Sequence, residues 1–259
     1  MMKLYDFINE LNCVIPPEIA EEWDNCGFQV NTGDKDVENV LVALEITDDV
    51  IEEAIEKKCD LIITHHPMLF NGVKSVDVRN ATGRYIEKLI VNQIPVFSCH
   101  TNFDICDGGN NDYLADILSL DEVGYIADEN ITRMGYADYD SVREVCETLA
   151  NGLGVDAGTF NIVGDPDEEI SCIGMCSGAG AEFLEIAKAC GCELFITGDL
   201  KHHEARNAEE IGINVIDAGH FGTEKIFSDA FIDIMFTNEF NYDINFVKSE
   251  KCFAPFKKL

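Results

Sequence analysis

The sequence predicts an α/β protein of two similar lobes, each a sheet covered by helices. Three observations lead there. Short, wholly apolar segments alternate with longer amphipathic ones, the pattern of strands buried on both faces and joined by helices. Two of the apolar segments return later in the chain with similar neighbours. The 259 residues are 46% hydrophobic and 26% charged, enough for one large or two small domains with a real core.

The elements follow in order. Residues 3–12 and 17–22 read as helical. VLVALE at 40–45 is a buried strand, and 48–58 a helix. LIIT at 61–64 is a strand, 82–92 a helix, 96–99 a strand and 110–118 a helix. The stretch 120–138 alternates poorly and holds a short strand or two. A helix over 141–153 starts on a Ser cap, because a Ser side chain can accept from a free first-turn N–H. Strands follow at 160–163 and 172–175, a helix at 182–189, a strand at 194–197 and a helix at 201–211. A strand at 215–217 leads into a helix from about 220 to 236, and 242–247 closes as a strand.

The repeat sits within this order. CDLIITHH at 59–66 resembles CELFITGD at 192–199, and IPVFSCHT at 94–101 resembles INVIDAGH at 213–220. Each is an apolar strand that ends in polar, often His-bearing residues. In open α/β sheets, sites lie beyond the carboxyl ends of strands. The expected organisation is a first lobe over 1–125, completed by 226–259, a second lobe over 126–225, and one shared site between them.

Charge excludes whole classes of function. Asp and Glu number 49 against 18 Lys and Arg, a formal net charge of −31. Such a surface repels nucleic-acid phosphates, so no nucleic-acid partner is expected. The acidic residues are spread along the chain, as for solubility in a salt-rich cytosol or for an acidic surface that meets a basic partner. No apolar run reaches the roughly 18 residues of a membrane helix, and the N-terminal segment lacks a signal's apolar core. A cytoplasmic location without a membrane partner is expected. Eleven cysteines occur without a C-x-x-C; in apolar runs, they read as structural thiols rather than a redox or metal site.

The six histidines carry the chemistry. His65, His66, His100, His202, His203 and His220 all follow apolar strand ends or open the next helix. His66 precedes Pro67, which forces an extended or turn conformation and breaks the strand there. HTNFD puts His100 and Asp104 in one short loop. GHFGTE puts His220 and Glu224 four apart, on one face if a helix starts there. His65, His66, Asp104, His220 and Glu224 are then five nitrogen and oxygen donors without sulfur. A structural zinc closes with four ligands. Five donors with two carboxylates suit two divalent ions with a bridging hydroxide, and zinc, manganese and iron(II) all accept them.

The segments EEWDNCGFQV, THHPMLF, HTNFDICDGGNND and TGDLKHHEARNAEEIGINVIDAGHFGTEK resemble the motifs of the GTP cyclohydrolase I type 2 homologues, also called the NGG-interacting-factor-three-like proteins. The resemblance implies the same five ligands: the neighbouring His65 and His66, the loop Asp104, and the C-terminal His220 and Glu224. It also implies two related lobes, a ring-shaped homohexamer with metal sites facing an internal cavity, and GTP as a small-molecule substrate. Longer members carry an inserted domain, for which this chain has no room.

Other residues complete the expectations. Asp199 is a candidate N-cap for the helix that carries His202 and His203. Only one of those two can face the metals, as a general acid or base or as a supporting contact. His100 is either a supporting partner or a ligand. Lys201 neutralises a phosphate or solvates a helix end. Trp23 and Asn25, in WDN, contact substrate, or Trp23 anchors its loop to the core. SGAGAEFLE at 177–185 offers glycine backbone to an anion or makes a tight turn. The expected function is a di-metal hydrolase of the GTP cyclohydrolase kind, opening the purine ring by a metal-bound hydroxide with release of formate. The alternative is a non-enzymatic metal-binding scaffold with protein partners.

Overall fold

The structure, a computed structural model, describes residues 2–238 and 244–256. The chain forms two units: Met1–Cys106 with Phe227–Leu259, and Asp107–Ile226.

The first unit opens with β1 (Met2–Lys3), α1 (Leu4–Val14), β2 (Gly27–Val30), β3 (Asp36–Val37) and β4 (Asn39–Ala43). It continues with α2 (Asp48–Glu56), β5 (Leu61–Thr64), α3 (Ala81–Val91), β6 (Val96–Ser98) and α4 (Thr101–Ile105). Leu4, Phe7, Ile8 and Leu11 make the buried face of α1, at the spacing of an amphipathic helix. Thr47 caps α2 by accepting from Val50 N, and Asn80 caps α3 by accepting from Gly83 N. All four residues of β5 are buried, as befits a central parallel strand. The expected helix at 17–22 is only a 3-10 turn, Pro17–Ile19. HTNFD, expected as a loop, is helical from Thr101 to Ile105.

The second unit contains α5 (Asn110–Ile117), β7 (Asp121–Ile126), β8 (Glu129–Tyr139), α6 (Val142–Leu153), β9 (Asn161–Val163) and β10 (Ile170–Met175). Then come α7 (Leu184–Ala189), β11 (Leu194–Thr197), α8 (His202–Ile211), β12 (Asn214–Asp217) and α9 (His220–Glu224). The break between units falls at 106/107, ahead of the 125/126 break expected from sequence. Leu114, Ala115 and Leu118, on and just after α5, pack with Val142, Val145, Leu149 and Ile173, so α5 belongs to the second core. The uncertain 120–138 stretch is the hairpin β7–β8, whose register shifts twice; those irregularities hide its alternation. Ser141 caps α6 as expected, accepting from Glu144 N.

The chain re-enters the first unit with α10 (Phe227–Thr237) and ends in β13 (Asn245–Lys248). One helix over 220–236 was expected; α9 and α10 are separate. Ile226 packs into the second core, while Phe227 meets Phe103 edge-to-face and Phe231 at a tilt in the first. Residues 242 and 243 of the expected last strand lie outside the described residues.

The first sheet runs β13-β4-β5-β6-β2 and the second β7-β8-β10-β11-β12-β9. Within them, β4, β5 and β6 are parallel with β2 antiparallel at the edge. Likewise β10, β11 and β12 are parallel with β9 antiparallel at the edge. In each unit the antiparallel edge strand precedes these three parallel ones in the chain, and in the first β13 adds a fourth parallel strand beside β4. The sequence repeat is thus β5–α3–β6 against β11–α8–β12. Among the described residues, no helix is long and apolar enough to cross a membrane.

Candidate functional site

In the first unit, the carboxyl ends of β5 and β6 share one sheet edge. Cys99 N donates to Thr64 O at 2.8 Å, and the Thr64 and Ser98 hydroxyls meet at 2.8 Å. Beyond Thr64 the backbone stays tied to β4 and its following turn through His65 N to Ala43 O and His66 N to Leu44 O. Two imidazoles therefore leave the end of one strand, and His100 leaves the next. Ring centroids of His65 lie 5.2 Å from His66 and 5.0 Å from His100. The three rings offer donor atoms that all lie within 4.8 Å of one another.

His65 and His100 are each oriented by an oxygen. His65 is fully buried, and its Nδ1 stands 2.9 Å from the carbonyl of Cys99. A carbonyl only accepts, so Nδ1 carries the proton and Nε2 the lone pair. That Nε2 faces Asp104 Oδ2 at 3.6 Å. His100 Nδ1 meets Asp24 Oδ1 at 2.9 Å, which leaves Nε2 to bind a cation or carry a proton. Asp24 has a fully buried side chain and also accepts from Thr101 N, Thr101 Oγ1 and Cys26 Sγ. Burial opposes its ionisation, but the bonds from His100, Thr101 and Cys26 outweigh it and hold the carboxyl well below the usual range.

In the second unit, β10, β11 and β12 also end along one edge. One helical turn in α9 brings His220 Nε2 to 3.0 Å from Glu224 Oε2. Glu224 is buried, and His220 Nδ1 lies 2.9 Å from Asp199 Oδ2. Asp199 was expected to cap α8. It takes instead a left-handed conformation with φ of 53°, turned to His220, and the cap residue is Lys201. The 177–180 loop packs closely on this pair. A Cβ on Gly178 would stand 2.4 Å from Glu224 Oε1, and φ there is +68°. Gly178 N donates to Thr223 Oγ1 and Gly180 N to Thr197 Oγ1, so these N–H groups bind side chains of their own unit. The SGAGA segment is a tight turn against Glu224, not an anion cradle.

These donors fit divalent cations. Two ligands each about 2.0–2.2 Å from one ion stand roughly 3–3.5 Å apart, close to both carboxylate–imidazole separations. Ligating histidines usually donate their other N–H to an oxygen, as His65 does to the Cys99 carbonyl. No thiol belongs to the donor groups found among the described residues. Burial pushes Cys192 and Cys26 up to about 12, and Cys59 and Cys146 up to about 11. At neutral pH they are protonated and poor ligands.

The remaining expected residues fall as follows. His202 and His203 are exposed in the first turn of α8, with rings 5.5 Å apart, outside the donor groups found among the described residues. His202 lines an open cavity with Ile162, Val163 and Arg206. Lys201 is exposed and paired with Glu204. Asn25 Nδ2 donates to Leu69 O at 2.8 Å. Trp23 is exposed rather than anchored in the core. Asp24 and Asp199, which orient two imidazoles, were missed as site residues. WDN and GD at a strand end carry the right chemistry, but only the folded chain brings Asp24 to His100.

A family model described as Duf34/NIF3 (NGG1p interacting factor 3) matches residues 2–252. A Clostridium acetobutylicum protein called GTP cyclohydrolase 1 type 2 homolog is 35% identical over 231 residues, 86% of this chain and 85% of its own. A Clostridium perfringens protein of the same name is 36% identical over 86% of this chain and 87% of its own. Among solved structures, a Bacillus cereus protein related to NIF3 superposes with a TM-score of 0.91 at 21% identity, covering 100% of this chain and 99% of that one. A hypothetical protein of Staphylococcus aureus gives 0.93 at 26% identity, with coverage of 100% and 99%.

Proposed function

Because the chain belongs to the Duf34/NIF3 family, we propose that it is a metal-dependent hydrolase in which His65, His66, Asp104, His220 and Glu224 together hold a pair of divalent cations. One observation carries this reading. In each unit, imidazole and carboxylate donors stand at the ends of parallel strands, at ligand-like separations and without thiolate. Asp104 and Glu224 would supply the carboxylate ligands of that set. When bound, the cation pair supplies Lewis acidity and lowers the pKa of water toward neutrality.

The chain's own groups divide the remaining work. The Cys99 carbonyl fixes the His65 tautomer, and Asp199 turns His220. His100, held by Asp24, is either a further donor or the group that moves a proton at Nε2. The relatives' name directs the choice of substrate to GTP, with hydrolytic opening of the purine ring at C8 and release of formate. The test is incubation of the protein, loaded in turn with zinc, manganese or iron(II), with GTP. Formate and, after oxidation, a fluorescent pterin should appear together and disappear with chelator. Full metal loading without formate for all three metals would replace the hydrolase with a metal-binding scaffold.

A further inference from the structure

Trp23, the chain's single tryptophan, is 58% exposed, and beside it Phe70 is 51% exposed. Their ring centroids lie 5.8 Å apart with planes at 51°, an open V. Single exposed apolar residues are ordinary, but two large adjacent rings held in water are not. Both rings meet His100 nearly perpendicularly, at 6.0 Å and 6.3 Å between centroids. His100 belongs to the three-imidazole cluster.

Polar bonds hold these rings outward. Asp24, next to Trp23, is locked beneath the surface by Thr101 and His100. The loop before Phe70 is tied to the same segment by Asn25 Nδ2 to Leu69 O at 2.8 Å and Leu69 N to Gln29 Oε1 at 3.0 Å.

We propose that Trp23 and Phe70 form an aromatic shelf that stacks a flat heteroaromatic ring of the purine class and sets it beside the His65–His66–His100 cluster. The proposal rests on the hydrolase reading and specifies how the substrate's ring is held. Stacking on a π face does not depend on charge, so the net charge of −31 does not oppose it. The V lets a ring lie flat on one side chain with its edge toward the other, a favoured aromatic geometry.

Trp23 is itself the reporter. The intact protein is titrated with guanosine and, separately, with ribose 5-phosphate, and tryptophan emission is followed. Guanosine should quench it saturably and ribose 5-phosphate should not. Phe70→Ala should weaken guanosine binding by about tenfold or more, with bound metal unchanged in elemental analysis. Phe70→Tyr, which keeps a ring, should bind as the parent does. Emission indifferent to guanosine, or Phe70→Ala titrating like the parent, overturns the shelf. Emission that follows protein concentration instead assigns the rings to contact with a second copy and overturns it too. The two readings separate cleanly: quenching without formate release keeps the shelf and rejects the hydrolase, and formate release from GTP with unchanged emission does the reverse.

Discussion

Asp24 shows how much one buried carboxylate can organise. It accepts from a backbone N–H, a hydroxyl, a thiol and an imidazole. Asp24→Ala would strand those donors under the surface and release His100. It should cost about 3 kcal/mol in urea denaturation and weaken metal binding about 10–100-fold in chelator competition. Glu53 plays a purely structural part. Burial opposes its charge, but Lys57 at 2.7 Å, Ser249 Oγ at 2.5 Å and Glu250 N at 3.0 Å outweigh it and lower its pKa. A depressed carboxylate stabilises the fold above its unfolded value, about 4.3, and that contribution is lost as pH falls through the folded value. Glu53→Gln should therefore cost about 1–2 kcal/mol at pH 7, and its gap to the parent should close progressively below about pH 4. A gap independent of pH would contradict the assignment.

At the scale of elements, the strongest sequence signals were the fully buried strands. β5 and β11 fall within the bounds read from LIIT and LFIT, because continuous apolar runs flanked by polar residues have few other uses. β2 was not legible. It has four residues, and Gly27 and Gln29 interrupt its apolar pattern. The irregular hairpin β7–β8 was only half legible for the reason its register gives. The metal donors were visible as residue types at strand ends; their orienting partners were not, since Asp24 reaches His100 across 76 positions. The 177–180 loop offers a sharper test. Gly178→Ala puts a methyl 2.4 Å from Glu224 Oε1 and forces an L side chain to φ of +68°. It should cost about 1–2 kcal/mol and weaken metal binding about tenfold or more. Gly212 has a similar φ of +70° but open space around it. Gly212→Ala should lose similar stability in the same denaturation assay and keep its metal affinity, so only the contact with Glu224 separates the two variants.

For the whole molecule, both units share three parallel strands and one antiparallel edge, and polar residues follow the strand ends in each. His65, His66 and His100 follow β5 and β6, and Asp199 and His220 follow β11 and β12. The acidic composition sets a general property. With a net charge of −31, self-repulsion opposes the compact state and salt screens it. The melting temperature should rise when ionic strength is raised from about 0.01 M to 0.5 M, a range over which the Debye length falls from about 30 Å to a few ångströms; a flat or falling curve would show that the charges are already compensated. The central claim is the metal pair itself. Elemental analysis of the purified protein, beside His66→Ala and Glu224→Ala, tests it most directly. Two divalent ions per chain in the parent, falling to one or none in each variant, is the expected result; both variants retaining two ions would contradict it.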